Sequence, residues 1–201
     1  GLGLGLLVGA VVLGSAFPHF LRAMGHEQRW QTIVLAASVS AVVGGGLALF
    51  FAHSGPYLAK APRFQWRRMG ASWTTPSLRL ANLGYLGHMW ELYAMWTWVP
   101  TFLAFAAAEG VGAAWVDGVA FATIAAGGLG CVWGGLAADR IGRGRVVNLA
   151  MAASGVCCLL VGLLVSAPFW VLALVTSIWG FFVVADSAQF SAMVTEVAPA
   201  D

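Results

Sequence analysis

The chain has 201 residues, of which 60% are apolar and 9% charged, with a net charge of +2. An ordinary soluble domain carries roughly 25% charged residues, so there are too few charges here to build a hydrated skin, and a bilayer is the solvent this composition fits. No basic run is dense enough to hold nucleic acid. Cys131, Cys157 and Cys158 are odd in number and lie in apolar stretches, so they read as small buried hydrophobes with no disulfide or metal role.

A helix rises about 1.5 Å per residue, so roughly 20 apolar residues cross a ~30 Å hydrocarbon core. Gly1 to Leu21 holds no formal charge and is the first predicted span; Trp30 to Ala52 is the second. Residues 53–79 form one long segment with Pro56, Pro62, Pro76, Trp66 and several basic side chains, read as a linker between two membrane halves. Leu80 to about Ala108 is the third span, interrupted by His88 and Glu91, and Gly118 to Ala138 is the fourth. From Val146 to Thr195 the only formal charge is Asp186. That run is too long for one crossing, and Ser166-Ala167-Pro168 divides it, because proline cannot continue a helix but suits a first turn. Spans five and six are then Val146 to Val165 and Pro168 to about Thr195. None of these stretches alternates as barrel strands would, and backbone groups in lipid must bond internally, so the expected class is all-α: a polytopic bundle of about six helices.

Charge placement orients the spans. Lys60, Arg63, Arg67, Arg68, Arg79, Arg140, Arg143 and Arg145 fall on one set of alternating sides, and only Arg22 and Arg29 on the other. The positive-inside rule puts the 53–79 linker, the loop after span four and both ends of the chain in the cytoplasm. Trp30, Trp115 and Trp170 stand at span ends, as an aromatic belt requires. Glu109 and Asp117 are assigned to the opposite-side loop between spans three and four. Gly1, Gly5 and Gly9, and likewise Gly130 and Gly134, recur every four residues, a spacing that lets helix backbones approach closely. The chain opens on glycine and stops just after Pro199-Ala200, and both ends look cut from a longer reading frame.

Ionisable side chains at membrane depth are costly and mark candidate sites. Glu91 is eleven residues into span three, near the midplane, and His88 is three residues earlier on the same face. Gly84, His88, Glu91, Met95 and Trp98 make one stripe flanked by Tyr85 and Tyr93, which reads as a cavity wall. Glu91 is assigned proton coupling or substrate contact with His88 as its partner; the alternative is a neutral Glu91 hydrogen-bonded to His88 for packing. Asp186 shares a helical face with Trp179, Phe182, Gln189 and Met193. It is assigned to substrate contact or to anchoring a gate on a neighbouring helix; the alternative is local satisfaction by a hydroxyl such as Ser187 or by shallow water. His19, beside Pro18, is read as interfacial, and Trp90, Trp96 and Trp133 as lipid-facing or packing residues.

The segment after span four reads Gly134-Gly135-Leu136-Ala137-Ala138-Asp139-Arg140-Ile141-Gly142-Arg143-Gly144-Arg145. It resembles the signature loop of the major facilitator superfamily, matching at Gly135, Asp139, Arg140, Gly142 and Arg143. It departs at Ala137, where leucine is usual, and at Gly144, where a second basic residue is common. A carboxylate between a helix end and guanidinium groups can form contacts in one conformational state and lose them in another, so these five residues are assigned a conformational role. The resemblance implies that the six spans correspond to helices five to ten of a twelve-helix fold. Residues 1–52 would close the N-terminal half, 53–79 would link the halves, and 80–201 would open the C-terminal half. It also implies a secondary carrier of a small solute, working by alternating access around a midplane site, with protons as the expected coupling ion and a bacterial inner membrane as the setting. Gly14-Ser15-Ala16-Phe17-Pro18 lacks the glycine-proline pattern typical of antiporters in helix five, which leaves the direction of transport open.

A polytopic membrane enzyme would need polar residues clustered at one membrane face, and no such cluster, GxSxG, HExxH or GxxxxGK[ST] pattern occurs. The chain is therefore expected to be no enzyme, to need no cofactor, and to pair with a solute and lipid, with a receptor or scaffold as the remaining alternative. By the resemblance two of the four main cavity helices are absent, so this stretch alone is not expected to transport.

Overall fold

The computed structural model describes residues 1–25, 30–53, 55, 70–107 and 110–197. Arg29, Glu109, most of the 53–79 linker with Lys60, Arg63, Trp66, Arg67 and Arg68, and the Pro199-Ala200 end lie outside the described residues.

Among the described residues every regular element is a helix: α1 Leu2–Met24, α2 Trp30–Phe51, α3 Ala71–Thr74, α4 Pro76–Ala106, α5 Ala113–Ile141, α6 Arg143–Leu163, α7 Phe169–Ala185 and α8 Ser187–Val197. Five segments are long and apolar enough to cross a membrane: α1, α2, α5, α6 and the continuous stretch Phe169–Val197. The protein is a multi-pass helical bundle. Helix α4 is long enough, at 31 residues, but Arg79, His88, Glu91 and its tyrosines and tryptophans make it less apolar than the rest.

Helix boundaries follow local chemistry. Thr75 stands at the N-cap of α4 with Pro76 in the first turn, where a missing N–H costs nothing, so α4 begins inside the segment read as linker. Pro168 is the N-cap of α7 and not its first residue. Helix α5 begins at Ala113, so Asp117 is helical and not in a loop. Its carboxylate is mostly buried and faces Arg22 of α1, Nε to Oδ1 3.3 Å.

Helix α5 is the hub. Along one face it meets α1 through glycine-to-backbone contact: a Cβ on Gly5 would come within 2.5 Å of the Cys131 carbonyl, and one on Gly9 within 3.2 Å of the Gly128 carbonyl. Along the other it meets α7, where Cβ atoms on Gly130 and Gly134 would collide with the carbonyls of Phe181 and Ala185. Both predicted glycine series therefore serve close packing. Helix α6 packs on α7, and α4 lies against α8 and α5. Val12, Ala16, Leu92, Val99, Ile124, Leu172 and Val183 fill the core between them. No residue of α2 is buried, and Val34, Val42, Leu49 and Phe50 project outward, which suits a helix solvated by acyl chains.

Cysteine placement corrects the expectation for one residue. Cys131 and Cys157 are buried, but Cys158 is exposed: adjacent helical residues point about 100° apart, so both could not enter one interface.

Candidate functional site: a buried pair at a helix break

The run from Pro168 to Thr195, expected as one helix, is one membrane-length stretch, Phe169–Val197, with a one-residue interruption at Asp186. Helix α7 ends at Ala185, and the Asp186 carbonyl accepts from Gln189 N (2.9 Å) and Phe190 N (3.0 Å) to start α8. The break lies about 16 Å of helix rise from Val197, well inside the apolar segment. Asp186 itself stays in the right-handed helical region, φ −95° and ψ −10°, so the helix is interrupted for one residue and not unwound. Asp186, Ser187 and Gln189 are all buried.

Across the break stands His88 of α4, 1% exposed. Its Nδ1 is 3.0 Å from Asp186 Oδ1, and its Nε2 is 2.6 Å from Ser187 Oγ. A hydroxyl both donates and accepts, so Ser187 satisfies Nε2 whether the ring is neutral or charged. The Asp186 contact is at ion-pairing distance without hydrogen-bond alignment, and neither carboxylate oxygen receives a hydrogen bond among the described residues. Phe190 closes the site: its ring stacks on Tyr85 at 5.7 Å and tilts over His88 at 5.4 Å. It fits because Gly84 has no side chain; a Cβ there would come 2.9 Å from the ring. Tyr85 and Ser191 join their hydroxyls at 3.2 Å.

Gln189 connects this pair to the cytoplasm-assigned end. Its Oε1 accepts from an Arg143 terminal nitrogen at 3.0 Å, while the Arg143 guanidinium also holds Glu196 of α8 at 2.7 Å. Arg143 is the first residue of α6, separated from α5 by Gly142 alone. Gly142 has φ +88° and ψ 149°, a region essentially closed to residues with a Cβ. The other end of the signature segment meets α1: Gly135 lies against the Gly1 and Leu2 backbone, and Asp139 Oδ1 is 3.3 Å from the Gly1 nitrogen. Arg140 is exposed in the last turn of α5.

The expected stripe on α4 divides in two. His88 turns to α8 and is not the partner of Glu91. The Glu91 carboxylate accepts from Ser154 of α6, and Ser154 Oγ accepts from the Trp179 indole at 3.0 Å. Glu91, Met95 and Trp98 line a separate cavity of about 450 Å³ between α4, α6 and α7. Met95 is buried there and Trp98 is largely exposed. Asp186 faces His88 at ion-pairing distance and receives no hydrogen bond from the neighbouring Ser187 hydroxyl. Ser154, Ser187 as a ligand of His88, and Glu196 went unnoticed in the sequence, where an isolated serine or a terminal acid carries no spacing signal. His19 is half-buried, with Nδ1 lacking a partner among the described residues. Trp90 is exposed, and Trp133 packs on Phe181 and Phe182.

Compared with known proteins, the chain matches no protein-family model, no curated protein and no solved structure.

Proposed function

We propose that this chain is the middle of a secondary carrier of the major facilitator type, which moves a small solute by alternating access and couples the movement to protons through His88 and Asp186. In this reading α4 is a sixth crossing, residues 53–79 join two halves in the cytoplasm, and the membrane is a bacterial inner membrane. The observation that carries it is the buried His88–Asp186 pair at a helix break. A carboxylate sealed from water with no hydrogen-bond donor is costly as an isolated charge, and the His88 ring stands at ion-pairing distance from it. The Ser187 hydroxyl accommodates either form of the ring. The interruption at Asp186 is the place where this long helix can bend at least cost. Arg143 ties Gln189, one turn beyond Asp186, to the Asp-Arg-x-Gly-Arg segment, so a change of charge at the pair reaches the α5–α6 joint and the α1 end packed on it.

The test is proton movement in liposomes holding the full-length protein, read by a lumenal pH dye while organic cations, organic anions, sugars and peptides are added in turn. At least one class is expected to drive protons, and Asp186→Asn, folded by circular dichroism, is expected to abolish the signal. No proton movement with any class, or a wild-type rate in Asp186→Asn, overturns the proposal.

A further inference from the structure

The cavity beside Glu91 differs from the His88–Asp186 site in what lines it and in what it leaves open. About 450 Å³ lies between α4, α6 and α7, within the range of small-molecule sites. Trp90, Met95, Trp98, Phe102 and Trp179 supply an apolar, aromatic wall, and Glu91 is the one formally charged residue in it. The Trp179 indole donates to Ser154, and Ser154 donates to Glu91 Oε1. This relay fixes the carboxylate while Oε2 receives no hydrogen bond among the described residues.

Chemistry narrows the occupant. An anion is repelled by Glu91. A sugar needs several polar partners, and this wall offers almost none. A hard metal ion takes about six or more oxygen ligands, and the wall supplies one carboxylate. An organic cation with an apolar body meets every feature: its charge neutralises a carboxylate that water does not fully solvate, and indole faces attract cations while packing on hydrocarbon.

We propose that this cavity binds a monovalent organic cation, with Glu91 on the charge and Trp90, Trp98 and Trp179 around the body. The proposal rests on the reading of the chain as a small-solute carrier and names the class of solute.

Cys158 lies in the same wall and is exposed, whereas Cys131 and Cys157 are buried, so its alkylation reports occupancy. The experiment measures binding of labelled phenyltrimethylammonium to the detergent-solubilised protein, with tert-butylbenzene as neutral isostere and benzenesulfonate as anion. Alkylation of Cys158 by a membrane-permeant maleimide is followed by mass spectrometry of its peptide. Saturable cation binding is expected, with Cys158 protected at saturation, and roughly tenfold weaker binding in Glu91→Gln and of the neutral isostere. Equal affinity for cation and isostere, or unprotected Cys158 at saturating cation, overturns the proposal. Both comparisons use the unmutated protein and hold even if Glu91→Gln fails to fold. Loss of cation binding alongside Asp186-dependent proton movement removes the solute class and leaves the carrier standing. Cation binding without any proton movement removes the carrier and leaves the site.

Discussion

Removing one partner of the His88–Asp186 pair strands a buried charge, whereas removing both does not. His88→Ala is expected to destabilise the folded bundle by about 3–5 kcal/mol, and His88→Leu combined with Asp186→Leu by clearly less. Unfolding in mixed micelles gives both values, and an additive double mutant would contradict the pairing. Ser154 poses a similar case, since Ser154→Ala leaves the Trp179 indole without an acceptor and Glu91 without a donor. A loss of about 1–3 kcal/mol is expected from the same titration. Legibility at this scale was partial. His88, Glu91 and Asp186 stood out because charge is rare in an apolar run, but their partners did not, because His88 meets Ser187 across 99 positions and Glu91 meets Ser154 across 63. Helical spacing relates residues within one helix and is silent about which neighbouring helix each will face.

The existence of the helices was legible and their ends less so: Thr75 and Pro76 start α4 inside the segment read as linker, and α5 runs past Ala138 to Ile141, where Gly142 ends it. The one-residue interruption at Asp186 has no proline or glycine beside it, and it coincides with the point where the Asp186 carboxylate faces His88 of α4. Asp117, expected in a loop from the sequence, is helical and faces Arg22 of α1, a partner on another helix that sequence spacing does not reveal. The glycine contacts of α5 give a direct test. Gly130→Val or Gly134→Val pushes a side chain into the backbone of α7 and is expected to cost about 1–3 kcal/mol or more. Gly3→Val, at a position with open space around it, is expected to change stability by no more than about 0.5 kcal/mol. Equal effects at the two kinds of site would show that α5 and α7 are not packed in this way. Gly142→Ala forces a Cβ onto a positive-φ backbone and is expected to cost about 1–3 kcal/mol, measurable by the same unfolding assay.

For the molecule as a whole, the all-helical membrane bundle was legible from composition and from apolar runs that do not alternate, because only helices and closed barrels satisfy backbone groups in hydrocarbon. The order of packing was legible only in part: the glycine spacing on α1 and α5 marks close contact, but α2 carries Gly44, Gly45 and Gly46 as well and stays outside the core, so glycine alone does not say which helix is the hub. Orientation is testable by reporter fusions. Fusions after residues 74 and 142 are expected to report the cytoplasm, and fusions after residues 110 and 166 the opposite side; all four on one side would refute the arrangement of crossings.

A single residue, Gly142, joins α5 to α6. Two rods joined so tightly have no slack, so any tilt of the end of α5 against α1 would carry the start of α6 with it, as in a bell crank. Arg143 is the first point on the second arm, and through its grip on Gln189 and Glu196 such a tilt would pull on α8.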